Sequence, residues 1–362
     1  MRRWLGICLL MLLPVLPATG DSSVSPELED ERALAVPSGG EESGDIDISG
    51  ILFSHIGDSY KWHIADLGEK HVELYLPVIV RSKWTGWHLF SSKRLDGAEY
   101  EGFRFGDPAG AYSGKVVEQD ASGAEVRPLD ISITKNVLAL LFSSGLLLVL
   151  ILLAARWYKR HDACKEAPTG IAALMEPVVM MIDDIARENI GEEDYRRYSP
   201  YLCMAFFWIL LNNFLGIVPI FPFGANLTGN IAVTMTLALC TFLLTNFTGG
   251  KTYYKDMFLP DVPLFLKPVM PVIEVFSALM KPVSLTVRLF ANMLAGHIMI
   301  LSIVCVIFVM AKMTPVLFGS MTFVSVFFGV FLDLLEFLVS FIQAYVFTML
   351  SSIYIGIARA KE

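Results

Sequence analysis

Residues 281–296 read Lys-Pro-Val-Ser-Leu-Thr-Val-Arg-Leu-Phe-Ala-Asn-Met-Leu-Ala-Gly, which places Arg288 near the middle of a long apolar stretch. None of the side chains three or four positions away from this arginine is charged: Ser284, Leu285, Ala291 and Asn292. A guanidinium at membrane depth is costly and keeps its proton, so it needs a counter-charge or a wet cavity. Because the local sequence supplies no counter-charge, we expect another chain to supply it.

The composition of the whole chain agrees with a membrane location. Of its 362 residues, 54% are hydrophobic and 18% are charged, and the mean hydropathy is +0.56. This balance is typical of polytopic membrane proteins and not of soluble enzymes. The sequence has no basic patch with interleaved aromatic residues, so it gives no support to a nucleic-acid partner.

The first 134 residues differ from the rest of the chain. Residues 1–20 have a basic start, an apolar core too short to cross a membrane and small residues at the end, which predicts a cleaved signal peptide; an uncleaved anchor is the alternative. Residues 21–50 carry nine acids and one base, which predicts a solvated, disordered linker. Short alternating runs and turn residues in 51–134 predict a small exported β-rich region.

Residues 135–362 predict an all-α polytopic membrane domain with about five crossings. Three uncharged stretches are long enough to cross the bilayer: 137–155, 201–223 and 224–248. Two much longer segments, 263–312 and 315–358, are joined by a tight turn. A helix of over forty residues is ~60 Å long, about twice the hydrocarbon thickness, so we expect a steeply tilted C-terminal helical hairpin.

The loop charges predict the orientation of these crossings. An exported N-terminal region puts 156–199, 249–267 and the C-terminal tail inside, and these segments hold seven, three and two Lys or Arg residues. The short outside loops hold only Lys312, so the positive-inside rule is satisfied. Within the first inside loop, 170–195 predicts an interfacial amphipathic helix with these apolar residues on one side: Leu174, Val178, Met181, Ile182 and Ile185.

Each long segment carries polar residues at helical spacing. One stripe is Glu274, Ser277, Lys281, Ser284, Arg288 and Asn292, and the other is Asp333, Glu336, Ser340, Gln343 and Phe347. Such stripes at membrane depth are typical of a water-filled path or a protein partner. Interhelical hydrogen bonds explain the serines alone, but they do not explain Arg288, Glu336 and the nearby His297 together.

Counting from the turn places these groups in two layers. Arg288 and Gln343 lie at similar depth, whereas His297 and Glu336 are nine and seven residues closer to the turn, or ~10–14 Å. An imidazole and a carboxylate at matching depth predict a proton relay from the exported side, because histidine titrates in the physiological range. A purely structural His–Glu hydrogen bond is the alternative.

At this point a family resemblance is specific. The run 281–296, together with Gln343 in Phe-Ile-Gln-Ala-Tyr-Val-Phe, resembles subunit a of the F-type ATP synthase, and the resemblance covers roughly 135–360. Leu-Asn-Asn-x-x-Gly-Ile-Val-Pro and Asn226–Asn230 also resemble the segments that line the family's exterior access channel. These two segments contribute two secondary candidate residues, Asn213 and Asn230.

The resemblance implies a function for most of the polar residues. Arg288 would be the stator arginine that faces the rotating c-ring, with Gln343 opposite it. The exterior half-channel would contain Asn292, His297 and Glu336, and the cytoplasmic half-channel would contain Glu274, Lys281 and Ser284. The implied partners are the c-ring, the peripheral-stalk b subunits and membrane lipid, and the implied location is a bacterial inner membrane with the C-terminus in the cytoplasm.

Two departures from many bacterial relatives are visible. Ala291 stands where many have glycine, and His297 and Glu336 have exchanged their chemical types, as in mitochondrial forms. The pair still contains one acid and one imidazole, so the relay chemistry is retained.

Two other classes of function stay open. A secondary ion transporter would also bury charge, but it usually has repeated halves with interrupted helices, and the sequence shows no such repeat. A membrane-anchored binding protein would use 51–134 as its working part. The sequence contains no nucleotide-binding loop, Ser/His/Asp set or metal cluster, so we expect no cofactor and no catalysis by the chain alone.

Overall fold

The computed structural model describes residues 57–359. The short gaps within that range are 68–69, 98, 108–111, 113, 121–123, 163–164, 219–223, 225, 260–262, 264–266, 268 and 312–314. The predicted signal peptide and acidic linker therefore lie outside the described residues, as do the first two residues of the predicted turn at 313–315.

Short antiparallel strands form the N-terminal region. The strands are β1 (Lys61–Leu67), β2 (Lys70–Tyr75), β3 (Pro77–Ser82), β4 (Gly86–Ser91), β5 (Phe103–Phe105), β6 (Val116–Gln119), β7 (Glu125–Val126) and β8 (Leu129–Asp130). β1 pairs with β2, and two three-stranded sheets have the orders β4-β3-β8 and β5-β6-β7. The prediction of a β-rich region is confirmed.

The β-rich region has a small core of its own. β3 buries alternate side chains, including Val78 and Val80, and these pack with Phe90 and Phe103. Such alternation is what a half-buried strand requires. Tyr60 donates a hydrogen bond to the buried Asp130 carboxylate, and burial together with the charge of Asp130 raises the pKa of Tyr60.

Seven α-helices follow in the described residues. They are α1 (Lys135–Arg160), α2 (Ile171–Ile190), α3 (Tyr195–Ile217), α4 (Ile231–Thr248), α5 (Lys251–Phe258), α6 (Met270–Ala311) and α7 (Pro315–Arg359). Five of them, all except α2 and α5, are long and apolar enough to cross a membrane. The prediction of a polytopic all-α membrane protein is confirmed.

The long C-terminal hairpin is also present. α6 has 42 residues and α7 has 45, and the two helices pack along each other. At 1.5 Å per residue each is more than 60 Å long, about twice the ~30 Å hydrocarbon core. Both helices must therefore incline steeply or extend beyond the hydrocarbon layer.

Two helix boundaries differ from the sequence prediction. The crossing predicted from residue 224 begins only at Ile231, because the preceding residues form a turn closed by side chains. Asn226 Oδ1 accepts from the Gly229 N–H at 2.7 Å, and Asn230 Oδ1 accepts from the Ala232 N–H at 3.0 Å and caps α4. The preceding helix, predicted to reach residue 223, ends at Ile217.

The interfacial helix α2 is present, although its apolar side is not buried throughout. Ile182 and Ile185 are buried, whereas Leu174 is 76% exposed. Leu174 lies at the beginning of the helix, where the neighbouring helices do not cover it, so its place on a membrane-facing apolar side stays a prediction. α2 ends at Ile190, and the next residue, Gly191, has a positive φ of 95° and an N–H bond to the Arg187 carbonyl, which are typical of a glycine helix stop.

The core of the membrane domain lies around α3. Phe206 and Ile209 of α3 are fully buried and belong to one apolar cluster with Leu289 of α6 and Phe347 of α7. Trp62 of β1 also belongs to this cluster. The N–H groups of the first two α1 residues bond to residues 58 and 59, so the β-rich region is tied to the start of the first crossing.

Candidate functional site

A column of polar side chains runs between the two long helices. His297 Nδ1 of α6 lies 3.0 Å from Glu336 Oε1 of α7, and Asn292 Nδ2 donates to Gln343 Oε1 at 2.8 Å. The two contacts are five residues apart along α6, or ~7.5 Å. We call Asn292, His297, Glu336, Ser340 and Gln343 the polar column. The predicted proximity of His297 and Glu336 is therefore found.

A glycine makes the close approach of the two helices possible. A Cβ atom added at Gly296 would lie 2.8 Å from Glu336 Oε1 and 3.0 Å from its Cδ, closer than real side chains pack. The absence of a side chain at this position lets the carboxylate reach His297. Sequence reasoning did not identify Gly296 as a contact between the helices, since nothing in the helical period shows which residue faces a carboxylate on the other helix.

The polar column contains buried polar atoms without partners among the described residues. Glu336 Oε2, Ser340 Oγ and Gln343 Nε2 are all buried and make no hydrogen bond there. These three residues follow one another on a single face of α7. Unsatisfied polar atoms at such depth are costly for a structure that only needs to be stable. All three can hydrogen-bond water, and the Glu336 carboxylate can also accept a proton.

Arg288 lies about two and a half turns before His297 on α6, beyond the Asn292 end of the polar column. Its side chain is partly exposed and makes no hydrogen bond or ion pair with any described residue. No carboxylate among the described residues pairs with it, and a counter-charge from another chain stays a prediction.

An open apolar surface surrounds the arginine. Val287 beside it is 51% exposed, and Val283 and Phe276 one and three turns away are 44% and 64% exposed. Ala291 and Asn292 are also exposed on this side of α6. An exposed face of this kind within a membrane helix contacts lipid or another membrane protein. Arg288 is thus placed at the edge of a face that the described residues leave open.

The secondary candidates toward the other end of α6 lie apart from the polar column. Lys281 Nζ lies 5.3 Å from the centroid of the Tyr354 ring, a cation–π contact. Glu274 and Ser284 are exposed. Burial, with smaller contributions from Tyr254 and Glu274, raises the pKa of Tyr253 on α5.

The two asparagines proposed for the access channel are placed differently from one another. Asn213 of α3 is fully buried, and its Oδ1 accepts from Thr228 Oγ1 at 2.7 Å while its Nδ2 has no partner among the described residues. The Asn230 side-chain oxygen is already used to cap α4. Asn213 therefore has free hydrogen-bonding capacity, whereas Asn230 serves local structure. Thr228, which the sequence did not single out, completes the Asn213 contact.

The fold and the polar column together define a class of protein. Five apolar helices, a long helical hairpin and titratable side chains between its arms are the features of a multi-pass membrane protein that transports ions.

Comparison with known proteins identifies the family. The family model described as ATP synthase A chain matches residues 140–356, and a domain of unknown function (DUF8433) matches residues 51–133. ATP synthase subunit a of Pelodictyon phaeoclathratiforme is 43% identical over 65% of this chain and 67% of its own length. The subunit from Myxococcus xanthus is 39% identical over 70% and 82%. The chain belongs to the ATP synthase subunit a family.

Proposed function

We propose that this chain is the proton-translocating stator subunit of an F-type ATP synthase and that it provides two half-channels to the c-ring. The observation that carries the proposal is the position of Arg288. This permanent cation lies at membrane depth without a partner among the described residues, and an exposed apolar face lies beside it. A neighbouring rotor that presents a carboxylate would supply both the missing charge and the missing apolar contact.

The exterior half-channel uses the polar column. A proton enters at the His297–Glu336 pair, where an imidazole and a carboxylate 3.0 Å apart can exchange it. The unpaired Ser340 Oγ and Gln343 Nε2 continue the polar path along α7. Asn292, hydrogen-bonded to Gln343, ends the path one turn from Arg288.

Arg288 separates the two half-channels. Its fixed charge attracts the deprotonated c-subunit carboxylate and repels a proton that would otherwise pass straight through the chain. Moving one charge across 100 mV is worth ~2.3 kcal/mol, so even a slow leak would dissipate the driving force. After the ring has rotated, the proton leaves by a cytoplasmic half-channel near Glu274, Lys281 and Ser284.

The family and the charge distribution support a location and a set of partners. We place the chain in a bacterial inner membrane with residues 51–134 in the periplasm and the C-terminus in the cytoplasm, because Lys and Arg are concentrated in the inside loops. Its partners are the c-ring and the peripheral-stalk b subunits. The chain is a channel subunit without catalysis of its own, and it requires no cofactor.

Substitution of the arginine tests the proposal. In membranes that contain the assembled complex, Arg288→Ala should abolish proton-driven ATP synthesis. Arg288→Lys should fail as well, since a compact ammonium does not reproduce the planar guanidinium. Lys251→Gln is the matched control, because Lys251 is exposed and lies outside the hairpin. Wild-type synthesis in Arg288→Ala membranes would refute the assignment.

A further inference from the structure

The polar stripe of α7 begins one turn before the polar column, at Asp333. This residue stands three positions before Glu336 and seven before Ser340, so all three lie on one side of the helix. Between residues 289 and 358 the sequence has only two acids, Asp333 and Glu336. The proton path described above uses Glu336 and leaves Asp333 without a role.

The two acids differ in their surroundings. Glu336 is only 7% exposed, whereas Asp333 is exposed and makes no hydrogen bond or ion pair with a described residue. Apolar side chains next to Asp333 are open as well, with Val330 at 65% and Leu334 at 67% exposed. An unpaired carboxylate on such a membrane helix is costly unless water reaches it. The position of Asp333 therefore favours a place where water meets the domain.

The packing of α7 against α3 indicates where that place is. The two helices lie side by side in opposite directions, and two ring contacts fix their relative positions: Phe206 with Phe341, and Phe214 with Phe337. α3 ends at Ile217, three residues beyond its last ring contact. Asp333 lies one turn beyond the same contact on α7, or ~6 Å at 1.5 Å per residue. It is therefore level with the end of α3, where this neighbour stops covering α7.

We propose that Asp333 is the residue at which protons enter the exterior half-channel, an inference that rests on the function proposed above. The Asp333 carboxylate takes a proton from exterior water and becomes a neutral carboxyl group. That group then donates the proton, directly or through one water molecule, to the Glu336 carboxylate. Asp333 is left as a carboxylate and is ready for the next proton.

The geometry of Glu336 suits the second step. Its Oε1 lies 3.0 Å from His297 Nδ1, whereas its Oε2 is buried and has no partner among the described residues. Side chains three positions apart on a helix have Cβ atoms ~5–6 Å from each other, within reach of a bridging water. Oε2 can therefore accept the proton from Asp333 while Oε1 keeps its contact with the imidazole.

Proton delivery by a buffer tests this role. The purified complex is placed in liposomes with its exterior side facing the lumen, and the initial rate of proton-driven ATP synthesis is measured. The lumen contains a membrane-impermeant buffer, either dilute or concentrated, at the same pH. In dilute buffer Asp333→Asn should lower the rate about tenfold, the lower end of what a charged entrance adds to an on-rate. Concentrated buffer should restore most of the rate, because buffer molecules then bring protons to the buried pair.

Two further variants complete the test. Asp333→Glu keeps the carboxylate and should retain most of the activity in both buffers. Glu99→Gln removes an exposed acid of the β-rich region and should behave as the wild type. A wild-type rate for Asp333→Asn in dilute buffer would overturn the inference. A loss that neither concentrated buffer nor Asp333→Glu restores would show a structural role and would overturn it too.

The arginine variant distinguishes this inference from the proposed function. ATP synthesis that persists in Arg288→Ala would refute the proposed function, whatever the Asp333 variants do. If Arg288→Ala is inactive and Asp333→Asn is unaffected, only the entry role of Asp333 is refuted.

Discussion

Gly296 lies so close to Glu336 that adding one methyl group at this position provides a test of the proposed exterior half-channel. In Gly296→Ala the new carbon would lie 2.8 Å from Glu336 Oε1 and 3.0 Å from Cδ, whereas such atoms normally pack at about 3.5–4 Å. The carboxylate must therefore move by roughly 0.5–1 Å, and its 3.0 Å contact with His297 Nδ1 is the first to be lost.

The size of the effect can be estimated from the overpacking. Extra methyl groups in packed sites cost about 1–3 kcal/mol, and the helix propensity gained by replacing glycine with alanine returns up to about 1 kcal/mol to folding. Folding should thus be little affected. A penalty of about 1–3 kcal/mol on the conformation in which His297 and Glu336 are in contact lowers the population of that conformation about 5- to 150-fold. We therefore expect proton flux to fall at least fivefold.

The assay is ATP-driven proton uptake by inverted membrane vesicles, followed by quenching of an acidity-sensitive dye. Gly329→Ala is the matched control, because a Cβ at Gly329 of α7 meets nothing within 4 Å. Glu336→Ala removes the side chain that an alanine at position 296 would crowd. In a protein that already carries Glu336→Ala, Gly296→Ala should therefore cause no further loss of thermal stability. If Gly296→Ala and Gly329→Ala vesicles pump at the same rate, the close contact does not matter for transport and the reasoning is refuted.

Three further predictions concern other contacts. Exchanging His297 and Glu336 should reduce proton pumping less than Glu336→Ala alone, and equal damage would argue against a shared relay. Arg359→Gln removes two hydrogen bonds, which Nη2 and Nε donate to the same Asp194 oxygen at 2.6 and 3.1 Å, and should destabilise the complex by about 1–2 kcal/mol in thermal unfolding. Tyr60→Phe leaves a buried carboxylate without its phenol partner and should destabilise the β-rich region by about 1–3 kcal/mol, measured by tryptophan fluorescence.

The last two predictions have controls in the same chain. Lys251→Gln removes an exposed charge, and Tyr112→Phe changes a tyrosine that is 37% exposed. Both controls should unfold at the wild-type temperature. Arg359→Gln or Tyr60→Phe variants that unfold with their controls would show that the corresponding contact does not contribute to stability.

Much of the fold follows from lengths that the sequence displays directly. Uncharged stretches and two apolar segments of more than forty residues predicted the five crossings and the long hairpin, because the bilayer thickness sets these lengths. Counting residues from the turn also predicted that His297 and Glu336 meet, since two antiparallel helices rise at the same rate.

Other features depend on information that spacing does not contain. Residue counting placed Gln343 level with Arg288, but its hydrogen bond is to Asn292, one turn away, because the rotation of one helix about another depends on packing. The short helix α5 has only eight polar-rich residues and does not cross the membrane, so the search for apolar stretches did not reveal it. The bond between Arg359 and Asp194 joins residues 165 positions apart, which no local pattern in the sequence reveals.

The distance from the Arg288 guanidinium to the nearest c-subunit carboxylate, in a structure of the intact complex, tests the central proposal most directly. We predict a separation of about 4–6 Å or less when that carboxylate is deprotonated, the range in which opposite charges strongly favour each other. A guanidinium paired with an acid of its own chain and remote from the ring would contradict the account.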